Sequence, residues 1–195
     1  PVDMAPFMEL GIPIIEDCGH SLGGSIGDKK IGNFGDFAIF SFYATRMITT
    51  GQGGFLVCKK KKDLELLKDL INYDERDDYK VRYSYKLSDM QAALGLKQID
   101  LLDYFINLRR EIGNIFTQKL MAAKREVPKD FPERKNIYYR YPVKVGIPTK
   151  DAIDLYKKHN IEAKRPVYKP LHQYFNLDKS DFPNTEEAFK TTISI

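Results

Sequence analysis

Three short apolar runs, bounded by glycine, proline or charged residues and ending in polar ones, constrain this chain most. They are GIPIIEDC (11–18), DFAIFSFY (36–43) and GGFLVCK (53–59). Runs of this length without strict alternation are the pattern of buried strands in a parallel sheet, where both faces are covered. Helical stretches surround them, so an α/β layer is expected. In open sheets of that kind the carboxyl ends of the strands converge on one crevice, and polar residues there make a site. Asp17 closes the first run and Ser41 lies near the end of the second. A carboxylate buried at such a position needs a cationic or protonated partner, because an unpaired one is costly. That partner can be a lysine, an arginine, a set of amides or the protonated ring nitrogen of a pyridine cofactor.

Beyond the strands, residues 62–72 read as an amphipathic helix and DERDDYKVR as a polar connection. From Leu87 the pattern is helical, and SDMQ (88–91) matches a capping box in which serine and glutamine satisfy the free amides of the first turn. Apolar spacing then continues far enough for one long helix, with Gly95 and Gly113 as weak points. A polar, proline-bearing stretch around Pro128 and Pro132 opens a new pattern. NIYYRYPVKV reads as a strand, TKDAIDLYKKHN as a helix, IEAKRPVY as a strand and NTEEAFKTT as a helix with Asn184 and Glu187 as cap partners. The expectation is a first α/β domain over residues 1–125, including the long helix, and a smaller α+β domain over 126–195.

Composition excludes several classes. The net charge of +4 arises from 31 basic and 27 acidic residues spread along the chain, so nucleic acid is not implied. Lys59 to Lys62 read as the solvated start of a surface helix. No window is long and apolar enough to span a bilayer. Cys18 and Cys58 lie in or beside strand-like runs, which suits reduced, inert thiols in a cytoplasmic protein. Cys18 and His20 are close, but His159 and His172 are far along the chain, so no metal is expected. GGSIG (23–27) matches Gly-x-Ser-x-Gly, yet a nucleophile elbow at Ser25 needs a helix directly after it, and DKKIGNFGD reads as a hairpin-like turn. Residue 1 is a proline, and both ends read as cuts in a longer chain.

The segment IIEDCGHSLGGSIGDKKIGNFGDFAIFSFYATRMITTGQGGFLV resembles the DegT/DnrJ/EryC/StrS family of pyridoxal-phosphate-dependent sugar aminotransferases. YSYKLSDMQAALGLKQIDLLD and KRPVYKPLHQ are similar to two further family motifs, in the right order. The resemblance implies fold type I: a large α/β domain around a mixed sheet, a small C-terminal α+β domain, and a homodimer with sites at the interface. It also implies about a hundred further residues ahead of this segment, for a domain of usual size. The cofactor implied is pyridoxal 5'-phosphate (PLP) or its pyridoxamine form. By resemblance, Asp17 pairs with the ring nitrogen, His20 orients the ring, Ser41 binds the phosphate, and Ser84 takes the place of a phosphate-reaching asparagine. Tyr168 and His172, in the Y-x-P-L-H element, fall near the sugar. The substrates implied are a nucleotide-linked keto sugar and an amino-acid donor such as glutamate.

The family's catalytic lysine falls five residues after the phosphate serine, and here that position is Arg46. A transaminating lysine must lose its proton, bond to the cofactor aldehyde and then shuttle protons. An arginine stays protonated and is a poor nucleophile, so the chain as written is not expected to transaminate. Three readings follow: a lysine-to-arginine change in an ordinary aminotransferase, a keto-sugar dehydratase with altered chemistry, or a non-catalytic regulatory binder. The other cofactor-facing residues are in place, which favours the first.

Overall fold

The computed structural model describes residues 2–129 and 131–195, which divide into two compact units. The first comprises residues up to Arg110 together with Phe131–Tyr139, and the second comprises Glu111–Asp130 and Arg140–Ile195.

In the first unit a short helix α1 (Ala5–Met8) precedes β1 (Ile15–Asp17), followed by the hairpin strands β2 (Ser25–Ile26) and β3 (Lys29–Lys30), then β4 (Phe37–Ser41) and β5 (Gly54–Cys58). β1, β4 and β5 form one sheet in that order; β1 runs parallel to β4 with Asp17 opposite Ile39, and β5 runs antiparallel with Gly54 opposite Ser41. The antiparallel return of β5 differs from the run-by-run reading of three parallel strands and agrees with the mixed sheet that the family resemblance implies. Parallel pairing needs a crossover, usually a helix, and the connection from 42 to 53 forms none. It folds back on itself instead: Thr50 N–H donates to Phe42 O at 3.0 Å, and Phe42 N–H to Gly53 O at 2.8 Å.

Burial alternates along β1 and β4 rather than running continuously. The inner face carries Glu16, Ala38 and Phe40, and the last two pack with Cys18 against Leu22 and Ile31. The outer face leaves Ile15 and Ile39 exposed. The carboxylate buried in β1 is therefore Glu16, at 6% exposure, and not Asp17, which the alternation turns outward. Glu16 is satisfied by amides. Oε1 accepts from Phe34 N–H at 2.6 Å and Gly35 N–H at 2.7 Å, and Oε2 from Gly32 N–H at 3.0 Å. Gly35 must lack a side chain, since a Cβ would fall 2.7 Å from Ile14 O and 3.0 Å from Phe37 O. One residue on, Asp36 accepts from Ile14 N–H through Oδ2 at 2.9 Å and donates its own amide to Ile14 O at 2.8 Å. The turn before β4 is thus fastened to β1, which sets the register of the parallel pair.

Helices follow. α2 (Lys61–Leu70) leads into a segment without regular secondary structure, 73–88, held by Arg82. The Arg82 guanidinium is almost fully covered and pairs with Asp69 at 3.1 Å and Asp78 at 2.7 Å. Hydrogen bonds from Arg82, and then from Lys80, hold the Asp78 carboxyl down to about 2. α3 (Asp89–Asp100) begins with the expected capping box between Ser88 and Gln91. It gives way at Leu101 to α4 (Leu102–Ala122), so the long helix is broken, and at neither glycine. Gly95 is buried instead, where a Cβ would come within 3.0 Å of Thr50 Cγ2. Its role is close approach. The strand β6 (Arg134–Lys135) then pairs with β2, and Ser25 sits buried inside that small sheet, not on a nucleophile elbow.

The second unit contains the end of α4, then β7 (Pro142–Lys144), α5 (Thr149–Lys158), α6 (Leu171–Tyr174), a single 3-10 turn, α7 (Pro183–Thr191) and β8 (Thr192–Ser194). β7 and β8 pair antiparallel around a core of Tyr141, Val143, Ala152, Ala163 and Ile193. The stretch IEAKRPVY forms only one bridge, from Lys164 to Ser194, because Pro166 removes a ladder donor just beyond it. α7 starts on Pro183 without a side-chain cap, so Asn184 and Glu187 are not the cap pair expected. No helix among the described residues is long and apolar enough to cross a membrane.

The buried Glu16 carboxylate yields a stability prediction. Glu16→Gln keeps the shape but loses the charge and turns an amide towards a backbone donor, so it should destabilise the protein by about 1.5–3 kcal/mol. Chemical denaturation measures this, and an unchanged midpoint would remove Glu16 from its role as the fastener.

Candidate functional site

The first unit gathers four of the residues singled out in the sequence at the carboxyl ends of β1 and β4. Asp17 is the last residue of β1 and Ser41 the last of β4. Between them runs Gly19, whose amide donates to Asp17 Oδ1 at 3.0 Å. A Cβ on Gly19 would lie 3.2 Å from Asp17 Oδ1 and 3.6 Å from Ser41 Cβ, so the missing side chain is what leaves a cleft between carboxylate and hydroxyl. Asp17 and His20 are exposed, and Ser41 and Arg46 half-buried.

Ser41 Oγ accepts from Tyr43 N–H at 3.3 Å and from Arg46 Nε–H at 3.2 Å. Both lone pairs are used, which leaves the hydroxyl proton to donate. Arg46 continues the chain of contacts by donating through Nη1 to Tyr139 Oη at 3.1 Å. The Tyr139 ring lies flat on His20, with centroids 4.4 Å apart and planes 12° apart. The connected set Asp17, Gly19, Ser41, Arg46, Tyr139 and His20 is therefore one surface carrying a carboxylate, a donor hydroxyl, a cation and an imidazole. Tyr139 was not legible as a site residue. The only hint was its place in the aromatic run NIYYRY, which reads equally as a strand face. Its base is firm: Met47, Ile106 and Ile137 form a buried cluster against which Tyr139, Leu102 and Phe105 pack, and Arg109 donates to Tyr139 O at 3.2 Å.

Ser84 lies in the irregular segment 73–88 that Arg82 anchors, and it is exposed. Tyr168 and His172 belong to the second unit. Tyr168 is exposed at 89%, whereas His172 is buried at 4%. The His172 ring stacks on Phe182 at 4.5 Å, and Nε2 lies 2.9 Å from Glu186 Oε1, which Gln173 also bonds. These bonds, that from Gln173 first and that from His172 second, hold the Glu186 carboxyl below its ordinary value. Just beyond β1, burial, together with the Glu16 charge nearby, pushes the Cys18 thiol up to about 11. That makes it a poor nucleophile.

A model of the DegT/DnrJ/EryC1/StrS aminotransferase family matches residues 5–195. Among curated proteins, the GDP-perosamine synthase of Escherichia coli O157:H7 is 31% identical over 187 residues, with 88% of this chain and 50% of that protein covered. Among solved structures, S. venezuelae DesV in complex with a ketimine intermediate superposes with a TM-score of 0.90 at 23% identity, covering 100% of this chain and 56% of that one. The PLP-form of Spr1654 from Streptococcus pneumoniae, described as a sugar aminotransferase, superposes with a TM-score of 0.83 at 23% identity, over 94% of this chain and 52% of that one. The chain spans about half the length of the curated relatives it matches.

The Glu186 cluster makes stability depend on acid. A carboxyl whose value is lowered by folding contributes stability above its unfolded value, and that contribution is lost as pH falls through the folded one. Thermal melts from neutral to strongly acidic pH should therefore show an acid loss that is smaller in Glu186→Gln than in the parent protein. Parallel pH profiles would exclude this cluster as the source.

Proposed function

The chain belongs to the DegT/DnrJ/EryC1/StrS aminotransferase family and has its fold type I architecture, and on that footing we propose that the cleft at Asp17, Ser41 and Arg46 is the cofactor half of a sugar aminotransferase site. The single observation that carries the reading is the meeting of Asp17 and Ser41 at Gly19, with Arg46 bonded to the Ser41 hydroxyl. The donor set suits a phosphorylated pyridine. The second oxygen of Asp17 can hold a protonated ring nitrogen, His20 orients the ring, and the Ser41 hydroxyl donates to the phosphate. PLP bound there supplies the electron sink that amino transfer needs.

The substrates of this reading are a nucleotide-linked keto sugar and an amino-acid donor, most simply glutamate. Residues 1–125 are taken as part of the large cofactor domain and 126–195 as the small domain, which carries Tyr168 and His172 as candidate sugar residues. The burial of His172 supports a packing role for it rather than contact with substrate. A homodimer completes the site, with Ser84 reaching the neighbouring copy's phosphate. The exposed apolar side chains Met90, Leu94 and Leu96 on α3 support such pairing. The two free cysteines suit the cytoplasm.

Arg46 stands where the family's lysine would act. A lysine there forms the covalent bond to the cofactor and moves protons; a guanidinium does neither, because it keeps its proton at any working pH. In the parent chain Arg46 is committed to Ser41 and Tyr139. That commitment supports a second reading, a non-catalytic binder built on the same fold, alongside that of a member with altered keto-sugar dehydratase chemistry.

Arg46→Lys separates the readings. With PLP, glutamate and a keto nucleotide sugar, the variant should release 2-oxoglutarate at least about a hundredfold faster than the parent protein. No release from either protein would turn the assignment towards binding, and turnover by the parent protein would refute its inactivity.

A further inference from the structure

We propose that Arg46 makes this cleft a site that holds a phosphorylated pyridine by charge and hydrogen bonds alone, with Tyr139 as the residue that fixes the guanidinium. The proposal rests on the cofactor cleft argued above and goes beyond it, because it assigns Arg46 a positive task and gives Tyr139 a role. A guanidinium carries five N–H donors in a rigid planar fork. Nε–H is spent on Ser41 and one Nη1–H on Tyr139, so three remain to be directed at a ligand. The Ser41 proton stands beside them, since both of its lone pairs are taken. A cation and a hydroxyl donor next to each other suit a dianionic phosphate monoester.

Tyr139 is what gives the fork its direction. The hydroxyl holds Nη1, the ring stacks on His20, and the residue packs against the buried cluster of Met47, Ile106 and Ile137. An arginine side chain on its own samples many rotamers, and restraint at both Nε and Nη1 lowers the entropy lost on binding. The same restraint keeps Arg46 in place when ligand leaves. The consequence is a reversible site: no bond forms between residue 46 and the ligand aldehyde, and the ligand exchanges.

The test compares the protein with Arg46→Ala, Arg46→Lys and Tyr139→Phe, using calorimetric binding of pyridoxamine 5'-phosphate and of pyridoxamine, which lacks the phosphate. It adds peptide mapping after treatment with PLP and borohydride. In that treatment a lysine amine adds to the aldehyde with loss of water, and hydride from borohydride leaves a stable secondary amine. The parent protein should bind the phosphorylated amine reversibly and more tightly than pyridoxamine, and carry no label at position 46. Arg46→Ala should lose about tenfold or more of that preference for phosphate, and Tyr139→Phe should lose part of it while binding pyridoxamine unchanged. A purely structural role for Tyr139 would weaken both ligands alike. Arg46→Lys should become labelled at position 46. If it is labelled there but the parent protein shows no preference for phosphate, the cofactor cleft stands and the role of Arg46 falls. If no variant binds or takes the label, both the cleft and this inference fall together.

Discussion

The buried carboxylate of Glu16 is the contact on which the first unit depends. A charge at 6% exposure would be costly if left alone, and here three amides from the turn at 32–35 satisfy it. The exchange works in both directions. The turn gains an anchor for amides that no strand could pair, and the parallel strands gain a fixed register. Everything at the carboxyl ends inherits that register: Asp17 stands opposite Ile39, and Cys18 N–H donates to Ile39 O at 2.8 Å, which brings Gly19 beside Ser41. A slip of one residue between β1 and β4 would separate carboxylate and hydroxyl and turn Glu16 to the outside.

Upon this frame the site is assembled from small allowances. Gly19 gives room, and Ser41 bridges the end of β4 to Arg46. Tyr139, from a segment far along the chain, closes the set by bonding Arg46 and covering one face of His20. The arrangement restrains a cation at two points, Nε on Ser41 and Nη1 on Tyr139. The family's architecture persists around an arginine at position 46, bonded to Ser41 and Tyr139.

Features with a local cause were legible. The Ser88–Gln91 capping box forms as its spacing demands, because both hydrogen bonds lie within one helical turn. The hairpin at Ser25–Lys30 follows from Gly27, whose φ of 55° suits a tight turn, and this disposes of the nucleophile-elbow reading. The positions of the three strands were likewise readable. Less legible were features that depend on what packs against what. Gly95 looked like a weakness of a helix and is a point of close approach to Thr50, and the helix breaks at Leu101, where no breaker residue stands. The carboxylates of EDC were read with Asp17 as the buried one. Alternation in a strand covered on one face buries Glu16 instead.

The sequence by itself determined the family, the order of the elements and the chemistry available at position 46, since an arginine remains a cation in any fold. Only the tertiary structure decided that β5 returns antiparallel, that Glu16 rather than Asp17 faces the core, and that Tyr139 holds a guanidinium 93 residues away. The physical reason is the range of the forces involved. Caps, turns and side-chain acidity are set by neighbours within a few residues. Burial and the meeting of distant side chains are set by the packing of whole elements, which no local pattern encodes.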